Sequence, residues 1–304
     1  MKIGIIGTGS MGRNHMRVVN SIPEMTLTCA SDISLENLEE ASSGYDLEKF
    51  FDHKEMLGLV DGVMVSTPTT FHYPIAKFFL ENGKHVLVEK PFASTLEQSD
   101  ELIELADKNN LVIAVGHLER FNPAVEYIQK FVEKPLFIEI QRLGSFSPRS
   151  LDVDVINDLM IHDLDIILQW DSSGIAKINA SGIPVISKKV DIANARIEFN
   201  SGLVANITAS RISQKKTRKL RIFQKNGYFS VDYKKKRAKI YRIEGTEISE
   251  DIPVIEDVEP LFNLWNNFYK TITTGKNYNV TGVDGRNALE LADKVSNSIK
   301  NIEV

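Results

Sequence analysis

The sequence predicts an α/β protein in which a doubly wound parallel sheet is followed by a part rich in antiparallel strands. Within roughly the first 120 residues, short apolar runs alternate with helical segments about five times. A glycine-rich turn directly follows the first apolar run. Between about residues 175 and 248 the pattern changes to the two-residue alternation that is typical of antiparallel strands.

The elements of the first part follow one another in the order that a parallel sheet requires. The predicted strands are Lys2–Ile6, Thr26–Ser31, Gly62–Ser66, His85–Val88 and Leu111–Val115. The predicted helices are Ser10–Ser21, a short helix after Ser34, Tyr73–Asn82, and a helix that ends near Asn109. Ser94 and Glu97 have the spacing of a capping box, which places the start of the last helix there.

The second part has a different order of elements. Helical spacing covers residues 123–131, Val155–Trp170, Glu259–Thr273 and Gly285–Lys300. Strand-like runs occur at Leu136–Leu143, Ala193–Phe199, Leu203–Ser210, Lys219–Gln224, Tyr228–Asp232 and Ala238–Ile243. The change of pattern near Phe121–Pro123 predicts two domains, residues 1–121 and residues 122–304.

Composition excludes several classes of protein. The net charge of −5 gives no general reason to expect a nucleic-acid partner. The single cysteine, Cys29, cannot form an intrachain disulfide, which favours a reducing compartment. The sequence shows neither the signature of a signal peptide nor an apolar run long enough to span a bilayer. We therefore expect a cytoplasmic protein without a membrane partner.

The glycine-rich turn has the spacing of a dinucleotide-binding loop. Gly7, Gly9 and Gly12 follow a predicted strand and open a predicted helix. In such loops the first glycine allows the turn, the second lets the backbone approach the pyrophosphate, and the third lets helix and strand pack closely. The helix start, including Ser10 and Met11, then offers N–H groups to the phosphates.

Asp32 lies at the end of the second predicted strand, twenty residues after Gly12. A carboxylate there accepts hydrogen bonds from ribose hydroxyls and repels the additional phosphate of NADP. Ile33 and Ser34 follow it, and neither provides a cation for that phosphate. NAD is therefore the expected cofactor. NADP remains the alternative, because Arg13 is close enough to the helix start to reach a phosphate.

Lys90 follows the fourth strand of the prediction, in the sequence Glu89-Lys90-Pro91. The carboxyl ends of the strands border the ligand crevice of an open parallel sheet. A lysine there can donate a hydrogen bond to a substrate hydroxyl or stabilise an alkoxide. The alternative is a solvated loop lysine.

Asp158 and His162 are four residues apart on a predicted helix, and therefore face the same way. His162 can accept the hydroxyl proton when hydride leaves a carbinol carbon, and Asp158 can orient the imidazole or bind a neighbouring hydroxyl. A surface ion pair is the alternative. Asp163 and Asp165 point away from this face, so we expect no shared metal site and assign these two residues to polar contacts or to solvent.

A third polar cluster follows the last strand of the parallel sheet. His117, Arg120 and Asn122 lie at a strand end and at the predicted domain junction. They are candidates for lining the crevice and contacting substrate. Structural contacts at the junction are the alternative for each of them.

These motifs together resemble the Gfo/Idh/MocA family of oxidoreductases, and the resemblance extends over the whole chain. The residues that carry it are the loop from Gly7 to Gly12, Ser66-Thr67-Pro68 through His72, Gly83-Lys84-His85-Val86, Glu89-Lys90-Pro91, Gly116-His117 through Arg120-Phe121-Asn122-Pro123, and Asp158 with His162. The family implies a Rossmann domain followed by an α/β domain with a large, mostly antiparallel sheet. The open face of that sheet often forms dimers or tetramers in such proteins.

The resemblance also implies residue roles. Lys90 matches the family's catalytic lysine, and Asp158 and His162 match its aspartate and histidine. The residues expected near the nicotinamide are Thr67, Pro68, His72 and Glu89. Arg142 and Arg149, with the segment after them, most resemble a subgroup that includes UDP-N-acetylglucosamine 3-dehydrogenases. Either arginine is a candidate for contacting a substrate diphosphate, with a structural arginine as the alternative.

The leading hypothesis is therefore NAD-dependent hydride transfer at a secondary hydroxyl of a sugar or sugar nucleotide, such as C3 of UDP-N-acetylglucosamine. A dehydrogenase of a free polyol such as inositol is the second hypothesis. A non-catalytic NAD sensor is the third, and it needs only the glycine loop.

Overall fold

In the computed structural model, which describes residues 1–146, 153–276 and 280–299, the chain divides into two compact units. The first contains Met1–Leu118 and Glu259–Arg286; the second contains Glu119–Val258 and the described residues from Asn287 onward. The sequence analysis instead placed one boundary after residue 121 and assigned all later residues to the second domain. The later segment joins the first unit through long-range packing, which no local pattern encodes.

The first unit contains a six-stranded parallel sheet. Its strands are β1 (Lys2–Ile6), β2 (Thr26–Ser31), β3 (Glu48–Phe50), β4 (Gly62–Val65), β5 (His85–Val88) and β6 (Ile113–Val115). Their spatial order is β3-β2-β1-β4-β5-β6, which reverses direction between β1 and β4. The predicted doubly wound sheet is confirmed. The prediction missed β3, whose three residues Glu-Lys-Phe carry no apolar pattern.

Four α-helices lie between these strands: α1 (Ser10–Asn20), α2 (Leu35–Ser42), α3 (His72–Glu81) and α4 (Leu96–Lys108). A 3₁₀ helix, His53–Leu59, joins β3 to β4. The predicted capping box of α4 was wrong by one residue. Thr95 caps the helix by accepting a hydrogen bond from the N–H of Gln98, and the Gln98 side chain accepts one from the N–H of Ser94. Thr95 and Gln98 have the same spacing as Ser94 and Glu97, so spacing alone could not distinguish the two pairs.

The second unit contains an eight-stranded sheet with the order β14-β13-β12-β11-β7-β10-β9-β8. The strands are β7 (Phe137–Leu143), β8 (Ile175–Ile183), β9 (Ile192–Phe199), β10 (Val204–Ser210), β11 (Thr217–Gln224), β12 (Gly227–Asp232), β13 (Arg237–Glu244) and β14 (Glu247–Asp251). Strands β7 and β10 pair in parallel, and the other pairs are antiparallel. The large, mostly antiparallel sheet implied by the resemblance is confirmed.

One face of this sheet is buried and the other is open. Alternate side chains of the strands, such as Ile138, Ile197, Ile207 and Ile222, belong to the hydrophobic core. Helix α5 (Pro123–Gln129) packs on β12 and β13. Burying an aliphatic side chain contributes about 1.5–3 kcal/mol, and a shift of register by one residue would expose the whole apolar face. The apolar alternation therefore fixes the register.

The segment that carries Asp158 and His162 is not a single α-helix, as the sequence analysis expected. Ile156–Met160 forms a π-helical turn, and α6 (Ile161–Leu168) follows it directly. A π turn closes its hydrogen bonds between residues five apart, so it presents side chains differently from an α-helical turn. Such turns are frequent at functional sites.

Two helices complete the described fold. Helix α7 (Pro260–Thr274) packs on α1 within the first unit, and Thr281 forms an isolated bridge with Ala114. Helix α8 (Gly282–Ser298) begins in the first unit, and its residues from Asn287 belong to the second. Among the residues described, none of the helices has both the length and the apolar character needed to cross a bilayer.

Candidate functional site

The glycine loop has the geometry that a bound pyrophosphate requires. Gly7 has a φ of +86°, and a Cβ there would lie 2.7 Å from the carbonyl oxygen of Ser66. A Cβ on Gly12 would lie 1.9 Å from the carbonyl oxygen of Gly7. Around Gly9, in contrast, a Cβ would meet no described atom within 4 Å. Gly7 and Gly12 thus permit the fold of the loop, and Gly9 leaves an open surface for a ligand.

Helix α1 begins at this loop. Gly9 is its N-cap residue, and within the described structure no side chain caps the helix. The first N–H groups of a helix have no partner inside the helix, and the helix dipole makes this end attractive for anions. The open backbone at Gly9 and the start of α1 therefore fit the phosphates of a dinucleotide.

The position of Asp32 fits a ribose. Its Oδ2 atom accepts hydrogen bonds from the N–H and the hydroxyl of Thr8, at 2.7 and 3.0 Å, and Oδ1 accepts one from the N–H of Ser34 at 2.9 Å. These bonds fix the orientation of the Asp32 carboxylate, and its oxygens can still accept further hydrogen bonds, such as those from ribose hydroxyls. The side chain of Ile33, next in sequence, is 91% exposed.

Arg13 is the residue for which the sequence analysis retained NADP as the alternative cofactor. Its guanidinium group forms an ion pair with Glu40 at 2.7 Å, and its Nε atom donates to the carbonyl oxygen of Thr8. The cation that could receive an additional phosphate is therefore already paired with a carboxylate. This arrangement, together with Asp32, fits NAD better than NADP.

His72 connects the loops that follow β4 and β5. The ring is buried, its Nε2 atom lies 2.8 Å from the carbonyl oxygen of Thr67, and its Nδ1 atom lies 2.8 Å from that of Pro91. Burial lowers the pKa of His72, although the two carbonyl contacts oppose the shift. His72 therefore holds the Thr67–Pro68 segment to the loop that carries Lys90, which is consistent with the expected cofactor side of the site.

Glu89 lies beside Lys90 and is buried. Its Oε1 atom is 3.0 Å from Nε2 of His15, and its Oε2 atom accepts a hydrogen bond from the N–H of Lys90 at 3.1 Å. Nε1 of Trp265 donates to Nδ1 of His15 at 3.0 Å. Burial opposes ionisation of the carboxyl, but the contact with His15 and the charge of Lys90 outweigh it and lower the pKa of Glu89. Lys90 itself is half-buried.

Sequence reasoning missed His15 and Trp265. His15 lies on the buried face of α1 with Gly12 and Met16, where a histidine looks like an ordinary core residue. Trp265 lies about 250 positions further along the chain, on α7. The one available signal was a titratable residue three positions after the last glycine of the loop.

In the second unit, Asp158 lies in the π turn and His162 in the first turn of α6, and both are partly exposed. Asp163 and Asp165 lie beside them on α6 and are buried. The expectation that these two make polar contacts is confirmed, whereas the alternative that they face solvent is wrong. The charge of each is compensated by an arginine.

Arg142 and Arg120 are those arginines. Arg142 holds both carboxylate oxygens of Asp163, at 2.7 and 2.8 Å, and also contacts Glu119 at 2.7 Å. Arg120 holds both oxygens of Asp165, at 2.6 and 2.8 Å. Both guanidinium groups are buried in these pairs. The structure thus supports the structural alternative for both residues rather than contact with a substrate anion.

The remaining predicted residues are distributed as follows. Asn122 caps α5 and donates to the carbonyl oxygen of Tyr233, so it also has a structural role. His117 is completely buried and belongs to the first unit. Arg149 lies outside the described residues. Asp158 and His162 are therefore the partly exposed polar candidates that the second unit contributes from the predicted set.

The carboxyl ends of the parallel strands thus collect the predicted residues of the first unit: the glycine loop after β1, Asp32 after β2, Thr67 after β4 and Lys90 after β5. A cleft at the amino ends of the parallel strands contains none of these predicted residues. It is lined by Met1, Asp61, Lys84, His85 and Tyr269, among others.

Comparison with known proteins gives consistent matches. The model of the Gfo/Idh/MocA family, described as an oxidoreductase family with an NAD-binding Rossmann fold, matches residues 1–117. UDP-N-acetylglucosamine 3-dehydrogenase from Acidithiobacillus ferrooxidans is 37% identical over 258 residues, which cover 84% of this chain and 82% of that protein. A solved structure of that enzyme superimposes with a TM-score of 0.93 at 34% identity, covering 98% of this chain and 97% of the other.

A second relative acts on a free polyol. The scyllo-inositol 2-dehydrogenase (NAD(+)) from Bacillus subtilis is 25% identical over 327 aligned positions, covering 99% of this chain and 94% of that protein. The similarity to the sugar-nucleotide enzyme is thus the higher of the two.

Proposed function

Because this chain belongs to the Gfo/Idh/MocA family of NAD-binding oxidoreductases, we propose that it oxidises a secondary hydroxyl of a sugar nucleotide, with C3 of UDP-N-acetylglucosamine as the first candidate. The observation that carries the substrate class is the 37% identity over most of both chains to an enzyme named for that substrate. The presence of Lys90, Asp158 and His162 supports catalysis over NAD sensing, because a sensor needs only the glycine loop.

The residues that would hold NAD lie in the first unit. The open backbone at Gly9, with Ser10 and Met11 at the start of α1, would bind the pyrophosphate, and Asp32 would bind the adenosine ribose. Thr67, Pro68 and Glu89 are proposed on the nicotinamide side. When bound, NAD supplies the acceptor for the substrate's hydride.

The side chains of the protein handle the proton. In the proposal, the ammonium group of Lys90 donates a hydrogen bond to the reacting oxygen and stabilises the negative charge that develops there. The imidazole of His162 accepts the hydroxyl proton, since histidine titrates near neutral pH. Asp158 orients that ring or binds a neighbouring hydroxyl. Each role follows the family's pattern at these positions.

Turnover of a substrate panel tests this proposal. The purified protein should reduce NAD with UDP-N-acetylglucosamine, and Lys90→Ala should abolish turnover while NAD still binds in isothermal titration. Lys84→Ala is the matched control, because Lys84 precedes β5 whereas Lys90 follows it. Full activity of Lys90→Ala would refute the assigned role. Binding of neither NAD nor NADP would refute the cofactor assignment.

The same panel decides between substrates. Turnover of inositols in place of sugar nucleotides would support the second candidate, which the similarity to scyllo-inositol 2-dehydrogenase favours. Cofactor binding without turnover on the whole panel would favour an NAD sensor. We also propose a cytoplasmic location, because the single cysteine, Cys29, is buried and unpaired and needs no oxidising compartment.

We further propose that the open face of the large sheet joins two or more copies of the chain. Phe137, Phe223, Tyr228 and Tyr241 lie directly opposite one another on four adjacent strands, and their ring centroids are 6.0, 5.2 and 4.1 Å apart in that order. All four rings are partly exposed. A continuous exposed aromatic stripe favours a protein interface, and a second copy is the occupant that the family resemblance implies.

A further inference from the structure

The loop that carries Lys90 is connected to a row of three buried polar side chains, which we call the Trp265–His15–Glu89 row. Trp265 and His15 have no exposed surface, and Glu89 is 8% exposed. The contacts are 3.0 Å from Trp265 to His15 and 3.0 Å from His15 to Glu89. All three residues belong to the first unit, so the row reaches from α7 through α1 to the end of β5.

The chemistry of tryptophan fixes the direction of the hydrogen bonds in this row. An indole N–H can only donate, so Nδ1 of His15 must accept. In the neutral ring the proton then resides on Nε2, which donates to Oε1 of Glu89. The row cannot serve as a proton relay, because it ends at an indole that gives up no proton at ordinary pH. Trp265 therefore acts by fixing the tautomer and orientation of the His15 ring.

The other end of the row is the backbone of Lys90. Oε2 of Glu89 accepts the N–H of Lys90, and a Cβ on Gly116 would lie 3.2 Å from the same carboxylate oxygen. The carboxylate is thus held on one side by His15 and enclosed by the end of β6 on the other. A buried carboxylate without such a donor is costly, whereas a fixed one holds the N–H of Lys90 in one direction.

We propose that His15 and Trp265 are positioning residues for Lys90, acting through the carboxylate of Glu89. The inference rests on the proposed catalytic role of Lys90. Positioning matters because displacement of a reacting group by about 1 Å can cost on the order of 100-fold in rate. The row links the helix that starts at the glycine loop to the loop of Lys90, so it sets the lysine relative to the cofactor loop of the same unit.

The first test is independent of turnover. Two-dimensional ¹H–¹⁵N spectra of the histidine rings should show His15 only as the Nε2–H tautomer, and Trp265→Phe should produce a mixture of tautomers. The NMR signal of the Lys90 side chain, assigned as the signal that disappears in Lys90→Arg, should shift in His15→Leu. The control His85→Leu removes a ring that accepts the N–H of Val112 at the opposite edge of the sheet, and should leave the signal in place.

The second test measures turnover. His15→Leu should lower kcat about 100-fold while the Kd for NAD stays unchanged, and His15→Gln, whose amide can donate and accept like the ring, should recover most of it. Either of two NMR results would overturn the inference: a Lys90 signal that does not move in His15→Leu, or an Nδ1–H tautomer of His15. Either of two kinetic results would do the same: equal losses of kcat in His15→Leu and His85→Leu, or no recovery of kcat in His15→Gln. Should His15→Leu not fold, Trp265→Phe and His15→Gln decide it. If the protein turns over no substrate, the NMR results still test the inference.

Discussion

Arg142→Met should destabilise the second unit around α6, the helix that carries His162. The guanidinium of Arg142 makes two bonds to Asp163 and one to Glu119, all between 2.7 and 2.8 Å. The side chain of Asp163 is completely buried and that of Arg142 is 3% exposed, so water screens the pair very little. Methionine retains much of the volume but leaves the carboxylate of Asp163 buried without its cation.

The magnitude follows from this burial. Breaking a buried ion pair by removing one partner costs about 3–5 kcal/mol. Since about 1.4 kcal/mol corresponds to a factor of ten, amides that exchange by opening of this region should exchange roughly 100- to 4,000-fold faster. Hydrogen exchange followed by mass spectrometry on peptides from β7 and α6 reads the second unit separately. The exposed pair Arg196–Glu198 provides the control, and Arg196→Met should cost at most about 1 kcal/mol.

The effect should also depend on pH. Burial raises the pKa of Asp163 above its ordinary value, although Arg142 opposes this, and loss of Arg142 removes that opposition. A carboxyl whose pKa is raised in the folded state binds more protons there, so stability falls as pH rises through that pKa. The deficit of Arg142→Met should therefore be larger at about pH 8 than at about pH 5.

A double variant completes this test. Arg142→Met combined with Asp163→Leu should recover most of the lost protection, because replacing a buried pair with apolar groups is often neutral. Exchange no faster than in Arg196→Met, or no recovery in the double variant, would show that the pair does not stabilise α6 as argued.

Two further predictions concern the cofactor loop and the open sheet face. Gly9→Ala should fold with an unchanged Tm, because a Cβ there meets no described protein atom, but it should lose NAD binding in isothermal titration, because the Cβ fills the open surface of the loop. Gly12→Ala should lower the Tm, because its Cβ would lie 1.9 Å from a carbonyl oxygen. Equal Tm losses in the two variants would contradict this distinction. Tyr228→Glu should reduce the molar mass measured by light scattering to that of one chain. Lys177→Glu, at an exposed position of the edge strand β8, is the control. A single-chain mass for the unsubstituted protein would rule out the interface.

Much of the first unit could be predicted because its signals are local. Strands β1, β2 and β5 have the predicted bounds, since each is a short buried run that ends at a glycine, a polar residue or a turn. The glycine loop and Asp32 follow the same logic. The misses were also local ambiguities: β3 has too few residues to carry a pattern, and two pairs of residues shared the spacing of a capping box.

The second unit shows where local reasoning ends. The helical spacing over Val155–Trp170 was correct, but it did not reveal the π turn at Ile156–Met160, because five residues are too few for the spacing of apolar residues to show a change of helical period. Arg120 was a candidate substrate contact because it follows the last strand of the parallel sheet at the predicted domain junction, and Arg142 because of the resemblance to sugar-nucleotide dehydrogenases. Whether the partner of either arginine is a ligand or a buried aspartate depends on residues more than 20 positions away.

The sequence by itself determined that this protein has a dinucleotide loop, an acidic residue suited to NAD, and a lysine at the end of a parallel strand. Each of these is specified by residues close together along the chain, where backbone sterics and burial act. Only the tertiary structure decided which side chains support them: Trp265 and His15 behind Glu89, and the arginines that neutralise Asp163 and Asp165. Those contacts join distant positions, so the folded chain alone specifies them.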